Sequence, residues 1–220
     1  MHRSLARPSA ALPLVALAAF GALLGLVVAD WAPMMRWDAS VSASLRGFGA
    51  VRPELIDWLR TLTGLAATIP YVAVGVAATL HFWIRRDRTA AVFCALVTAT
   101  VPILWSLFHW ALHNPRPVDG FVSVSSSGFP SGHTSNAAAF ALALVLLVWP
   151  RAGAAARLAT CLAALAFALF IGWTRVALLA HWPTDVLGGY LLAAAVVPLA
   201  ARAATSGRVG VQRQNARVDR

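Results

Sequence analysis

Six stretches of the chain, residues 8–29, 61–84, 89–112, 134–150, 158–174 and 186–201, contain no aspartate, glutamate, lysine or arginine. An α-helix of about 20 apolar residues crosses about 30 Å of hydrocarbon, so this pattern predicts six membrane-spanning helices. The last three look short because polar residues occupy their outer turns. Pro70 lies inside the second stretch and predicts a kink there. Between the first two stretches, residues 30–60 mix charges with Trp31, Trp37 and Trp58 and place Val41, Leu45 and Phe48 at helical spacing. That spacing reads as an amphipathic helix at the interface or as a loop helix packed on the bundle. The expected fold is therefore all-α, a six-transmembrane-helix bundle with a short interfacial helix between the first two spans.

Composition agrees with a bilayer protein. Hydrophobic residues make up 60% and charged residues 12%, far from the balance of a soluble domain. All the basic residues are arginines, and they give a net charge of +10. They fall in short clusters between apolar runs rather than along one face, so membrane topology explains them better than nucleic acid does. With the N-terminus inside, Arg85, Arg86, Arg88, Arg151, Arg157 and the terminal arginines fall on the cytoplasmic side, twelve in all against six outside. The expected domain covers residues 1–205, and residues 206–220 are expected to form a disordered basic cytoplasmic tail. The competing reading of the first span is a signal peptide cleaved after Val27-Val28-Ala29. Cys94 and Cys161 both sit in apolar runs and read as buried hydrophobes, and no Cys/His cluster has metal-ligand spacing. Neither a metal nor a cofactor is expected.

Three polar segments interrupt the apolar runs at their ends. Ser127 to Ser135, Ser-Gly-Phe-Pro-Ser-Gly-His-Thr-Ser, opens the fourth span. Its hydroxyls and unpaired N–H groups at a helix N-terminus suit an anion, although an ordinary N-cap uses the same residues. Asn114-Pro115-Arg116-Pro117 lies upstream of it. Downstream come Thr174-Arg175, five further residues, His181, three more and Asp185. In any six-span arrangement all three segments emerge on one face. Two arginines, His133, His181 and an aspartate gathered there at span ends, with His109 just upstream as a third histidine, point to phosphate chemistry rather than to scattered interfacial charge. His81 and His113 read as structural, and Asn114 and Asp119 as supporting residues or loop formers.

This order of motifs resembles the type 2 phosphatidic acid phosphatase superfamily, which also contains vanadium haloperoxidases. The resemblance covers about residues 109–185 and departs at two positions. His109 stands where the family usually has lysine, and Thr174 where it has serine. The resemblance implies a phosphate clamp of Arg116, Arg175, Ser131 and the Gly132 N–H, with His109 as a further contact. It implies His181 as nucleophile, Asp185 as the partner of its other ring nitrogen and His133 as general acid. The implied activity is hydrolysis of a lipid phosphomonoester or diphosphate, of the phosphatidic acid or prenyl diphosphate type, through a phosphohistidine. A lipid phosphotransferase using the same intermediate is the alternative, and a membrane anion transporter is the alternative from another class. The bilayer and a lipid phosphate are the expected partners. The expected location is a bacterial inner membrane with the site on the non-cytoplasmic face.

Overall fold

The computed structural model describes residues 5–218, with side chains as far as residue 206. Every regular element among them is helical: α1 Ala11–Val28, α2 Ala32–Ala50, α3 Pro53–Thr63, a 3₁₀ turn Gly64–Ala66, α4 Thr68–Ile84, α5 Arg88–Ala111, α6 Gly132–Val148, α7 Ala154–Ala177 and α8 Pro183–Val218. The side chains of the expected basic tail, from residue 207 onward, lie outside the described residues.

Five segments are long and apolar enough to cross a membrane: α1, Pro53–Ile84, α5, α7 and Pro183–Ser206. The apolar α6 is shorter, because its first turn is given to the polar Gly132-His133-Thr134-Ser135. Two local expectations change. The break in the second stretch falls at Gly64–Ala66, where the 3₁₀ turn joins α3 to α4, and not at Pro70. Pro70 occupies the first turn of α4, where no intrahelical N–H bond is lost. Residues 30–60 form two helices rather than one, separated by Val51 and Arg52, and Pro53 starts the second. Of the apolar positions of α2, Phe48 is exposed and Val41 and Leu45 are half-buried, whereas the buried residues are Asp38, Ser42 and Gly49.

The α8 helix forms the centre of the bundle, packed on α1, α5 and α6. Its Ala193, Val197 and Ala201 are buried against Phe93, Val97 and Val101 of α5 and Ala138 and Ala139 of α6. Small residues at these seams let backbones approach closely, which is how helices associate when lipid leaves little hydrophobic drive between them. The outward faces stay apolar, with Val15, Ile69, Leu80, Ile84, Leu162 and Leu165 all exposed. At the end of the bundle away from the polar motifs, Arg151 pairs with Asp87 at 2.9 Å and lies over Phe82, tying the start of α5 to the end of α6. At the other end, the C-termini of α5 and α7 and the N-termini of α6 and α8 converge.

Candidate active site

The cradle begins with Ser131, which stands at the N-cap of α6 in an extended conformation. Its Oγ accepts from the Thr134 N–H at 3.4 Å and from the Thr134 hydroxyl at 3.0 Å. The N–H groups of Gly132 and His133 have no intrahelical acceptor and stand at the positive end of the helix. A side chain at Gly132 would press on the Trp105 ring, since a Cβ there would lie 3.1 Å from it. The Ser131 N–H donates to the Asp185 carbonyl at 2.9 Å, which fixes the cradle to α8.

His181 reaches the same place through a tight reversal after α7. Leu179 takes φ 50°, a left-handed conformation that side chains other than those of glycine and asparagine disfavour. The N–H groups of Ala180 and His181 then both donate to the Arg175 carbonyl, at 3.0 and 3.3 Å. His181 Nδ1 lies 3.3 Å from Asp185 Oδ2. Asp185 is itself held, with Oδ1 accepting from Asn114 Nδ2 at 2.9 Å and Oδ2 from the Trp182 N–H at 3.0 Å. A carboxylate facing Nδ1 keeps the proton there and leaves Nε2 unprotonated, an acceptor. Nε2 faces Arg116 Nη1 at 2.8 Å. His181 is 2% exposed, and burial, followed by the Arg116 and Arg175 guanidiniums, holds its imidazole well below the ordinary range and therefore neutral.

The two arginines are held differently. Arg116 is fixed by loop oxygens: Nε and Nη2 donate to the Ser126 and Ser127 carbonyls at 2.7 and 2.8 Å, and Nη1 to the Ala180 carbonyl at 2.6 Å. Arg175 is 4% exposed, and the only hydrogen bond of its guanidinium among the described residues runs from Nη1 to Thr63 Oγ1 at 3.2 Å; Nε is buried without an acceptor. The Thr174 hydroxyl also donates to Thr63 Oγ1, at 3.0 Å. Burying an unpaired ion costs several kcal/mol, against about 1 kcal/mol gained from one neutral hydrogen bond. The free edge of such a guanidinium has the shape to take a phosphate oxygen.

His133 is partly buried, and its ring has no hydrogen bond among the described residues, which leaves it available to a substrate. His109 lies beside the cradle. Its Nε2 sits 2.7 Å from the Pro130 carbonyl and its ring packs edge-on to Trp105, so it supports the cradle backbone. Beside the site lies a cavity of about 550 Å³ lined by His109, His113, Asn114, Arg116 and the serines 125–127. Asp119 pairs with Arg46 at 3.3 Å, and His81 packs edge-on to Phe82. Sequence reasoning missed Thr63 and Asp38, whose side chains reach this end from α3 and α2, and no local motif announces either one.

Residues 108–206, the segment that carries most of the site, match the model of the PAP2 superfamily. The chain is 28% identical over 151 residues to the undecaprenyl-diphosphatase-like protein YbjG of Escherichia coli (strain K12), an alignment covering 63% of this chain and 70% of the relative. The crystal structure of a transmembrane PAP2-type phosphatidylglycerolphosphate phosphatase from Bacillus subtilis has the same fold. Its TM-score is 0.76 at 24% identity, covering 89% of this chain and 96% of that one.

Proposed function

We propose that this protein is a membrane lipid phosphatase that hydrolyses a phosphomonoester or diphosphate of a lipid through a phosphohistidine, with no metal ion. The observation that carries this reading is His181, held at Nδ1 by Asp185 and directed at Nε2 toward Arg116. Nε2 attacks phosphorus while Arg116, Arg175, Ser131 and the Gly132 N–H bind the nonbridging oxygens. The bond from phosphorus to the leaving oxygen breaks, and His133 gives that oxygen a proton. Water then attacks the phosphohistidine, His133 takes its proton, and inorganic phosphate leaves. Positive charge comes from the guanidiniums, which is why no metal is invoked. The adjoining cavity has room for the group that carries the phosphate. The names of the relatives, an undecaprenyl-diphosphatase-like protein and a phosphatidylglycerolphosphate phosphatase, support a lipid substrate.

Purified protein in detergent with EDTA should release inorganic phosphate from at least one of undecaprenyl diphosphate, phosphatidic acid and phosphatidylglycerophosphate. Loss of turnover on adding EDTA would overturn the metal-free mechanism. Transfer of the phosphate to a lipid acceptor instead of to water would make the protein a phosphotransferase.

The same reading makes α6 a sixth span and puts the site on the non-cytoplasmic face, supported by the distribution of the arginines. Val118 is 72% exposed in the loop after α5. A cysteine placed there, in a background lacking Cys94 and Cys161, should react with a membrane-impermeant maleimide once the outer barrier of expressing Escherichia coli cells is permeabilised. Labelling only after lysis of the inner membrane would invert the topology.

A further inference from the structure

Asp38 is a buried carboxylate, 5% exposed, with no arginine or histidine at ion-pair distance among the described residues. Both its oxygens go to one residue. Oδ1 accepts the Thr184 N–H at 3.1 Å, and Oδ2 accepts the Thr184 hydroxyl at 2.5 Å. Burial pushes the carboxyl up, and the two Thr184 bonds pull it back toward the charged form.

Thr184 lies in the first turn of α8, between His181 and Asp185. That turn starts without a capping side chain of its own, because the residue before Pro183 is Trp182, whose indole donates to the Pro115 carbonyl at 2.7 Å. Asp185 provides half of a capping box by accepting the Trp182 N–H. Asp38 provides the other half from a different helix, accepting an N–H that the first turn leaves unpaired. A carboxylate there also faces the positive end of α8. Asp38 lies outside residues 108–206, the part matched to the superfamily.

We propose that Asp38 is a positioning residue for phosphoryl transfer: docked from α2, it locks the first turn of α8 and so sets the contact between His181 and Asp185. The inference rests on His181 being the nucleophile. A residue that only fastened α2 to the bundle would change stability and leave the chemical step alone. A positioning residue changes kcat with little effect on KM, and it does so through Thr184.

The test measures phosphate release by the full chain in detergent micelles, with thermal melting recorded for each variant. Asp38→Ala should lower kcat about 30-fold with KM within about twofold, the scale expected when a reacting group is slightly misplaced. Asp38→Asn should recover to within about threefold of the parent, because the amide offers an acceptor to the N–H and a donor to the hydroxyl. Thr184→Val should lower kcat by about 5- to 10-fold, Thr184→Ser should not, and Asp38→Ala with Thr184→Val should be no slower than Asp38→Ala alone. Normal kcat in Asp38→Ala, a loss confined to KM, or additive losses in the double variant would overturn the proposal. If Asp38→Ala does not fold, the Thr184→Val and Thr184→Ser pair decides, and equal activity of those two would overturn it. His181→Ala separates the two readings. Turnover in that variant defeats the catalytic reading, whereas an inactive His181→Ala beside a fully active Asp38→Ala defeats only the role given to Asp38.

Discussion

Replacing His181 with alanine should lower turnover by about 1000-fold or more, and replacing it with glutamine should do the same, because neither side chain is a nucleophile. Denaturing mass spectrometry at neutral or alkaline pH, after brief mixing of the parent protein with substrate, should find one added phosphoryl group, and His181→Ala should show none. The pH dependence follows from the environment of the ring. Burial and the facing groups Arg116, Arg175, His109 and His133 disfavour its protonated form, so the imidazole stays neutral above a depressed pKa. Activity lost to protonation of His181 therefore disappears only on the acid side of the ordinary value of about 6.5. Retention of about a tenth of the activity in His181→Ala would remove His181 from the reaction.

Arg175 carries the second large expectation, and for this residue activity and stability should move in opposite directions. Arg175→Lys and Arg175→Met should each lower kcat/KM by about 100- to 1000-fold, since neither ammonium nor thioether reproduces the planar fork of donors. The melting temperature of Arg175→Met should equal or exceed that of the parent, because a buried cation with a single hydroxyl for company is replaced by an apolar side chain of similar length. Near-parental kcat/KM in Arg175→Lys would mean that charge alone is needed there. A lower melting temperature in Arg175→Met would mean that the guanidinium is already compensated by the protein.

The fold was legible wherever apolar runs and their polar ends carried the information. Six uncharged stretches with motifs at alternate ends leave little freedom, and Arg116, Ser131, His133, Arg175, His181 and Asp185 do meet at the converging end. What stayed hidden depended on tertiary contacts between distant parts of the chain. Nothing local distinguishes Thr63 from any other threonine near a helix end, or Asp38 from any charge on an interfacial helix. Pro70 drew the kink to itself because proline is the usual breaker, whereas Gly64 and the extended Ala67 made the break. The sequence does not announce that His109, which occupies a lysine position of the motif, also sets its Nε2 against the Pro130 carbonyl.

The break at Gly64–Ala66 limits how the protein can be divided. It leaves Thr63 facing Arg175 and exposes the Ala66 carbonyl to Asn136 Nδ2 at 3.2 Å, and Asn136 in turn accepts from the Trp105 indole that lies against Gly132. The segment that bears the signature motifs is consequently not a portable cassette. A chimera that takes residues 108–206 from this chain would also have to supply the hydroxyl that Thr63 offers Arg175 and the placement of the Ala66 carbonyl that receives Asn136. With Asp38 of α2 holding Thr184 as well, recombination between relatives would have to respect a boundary upstream of α2.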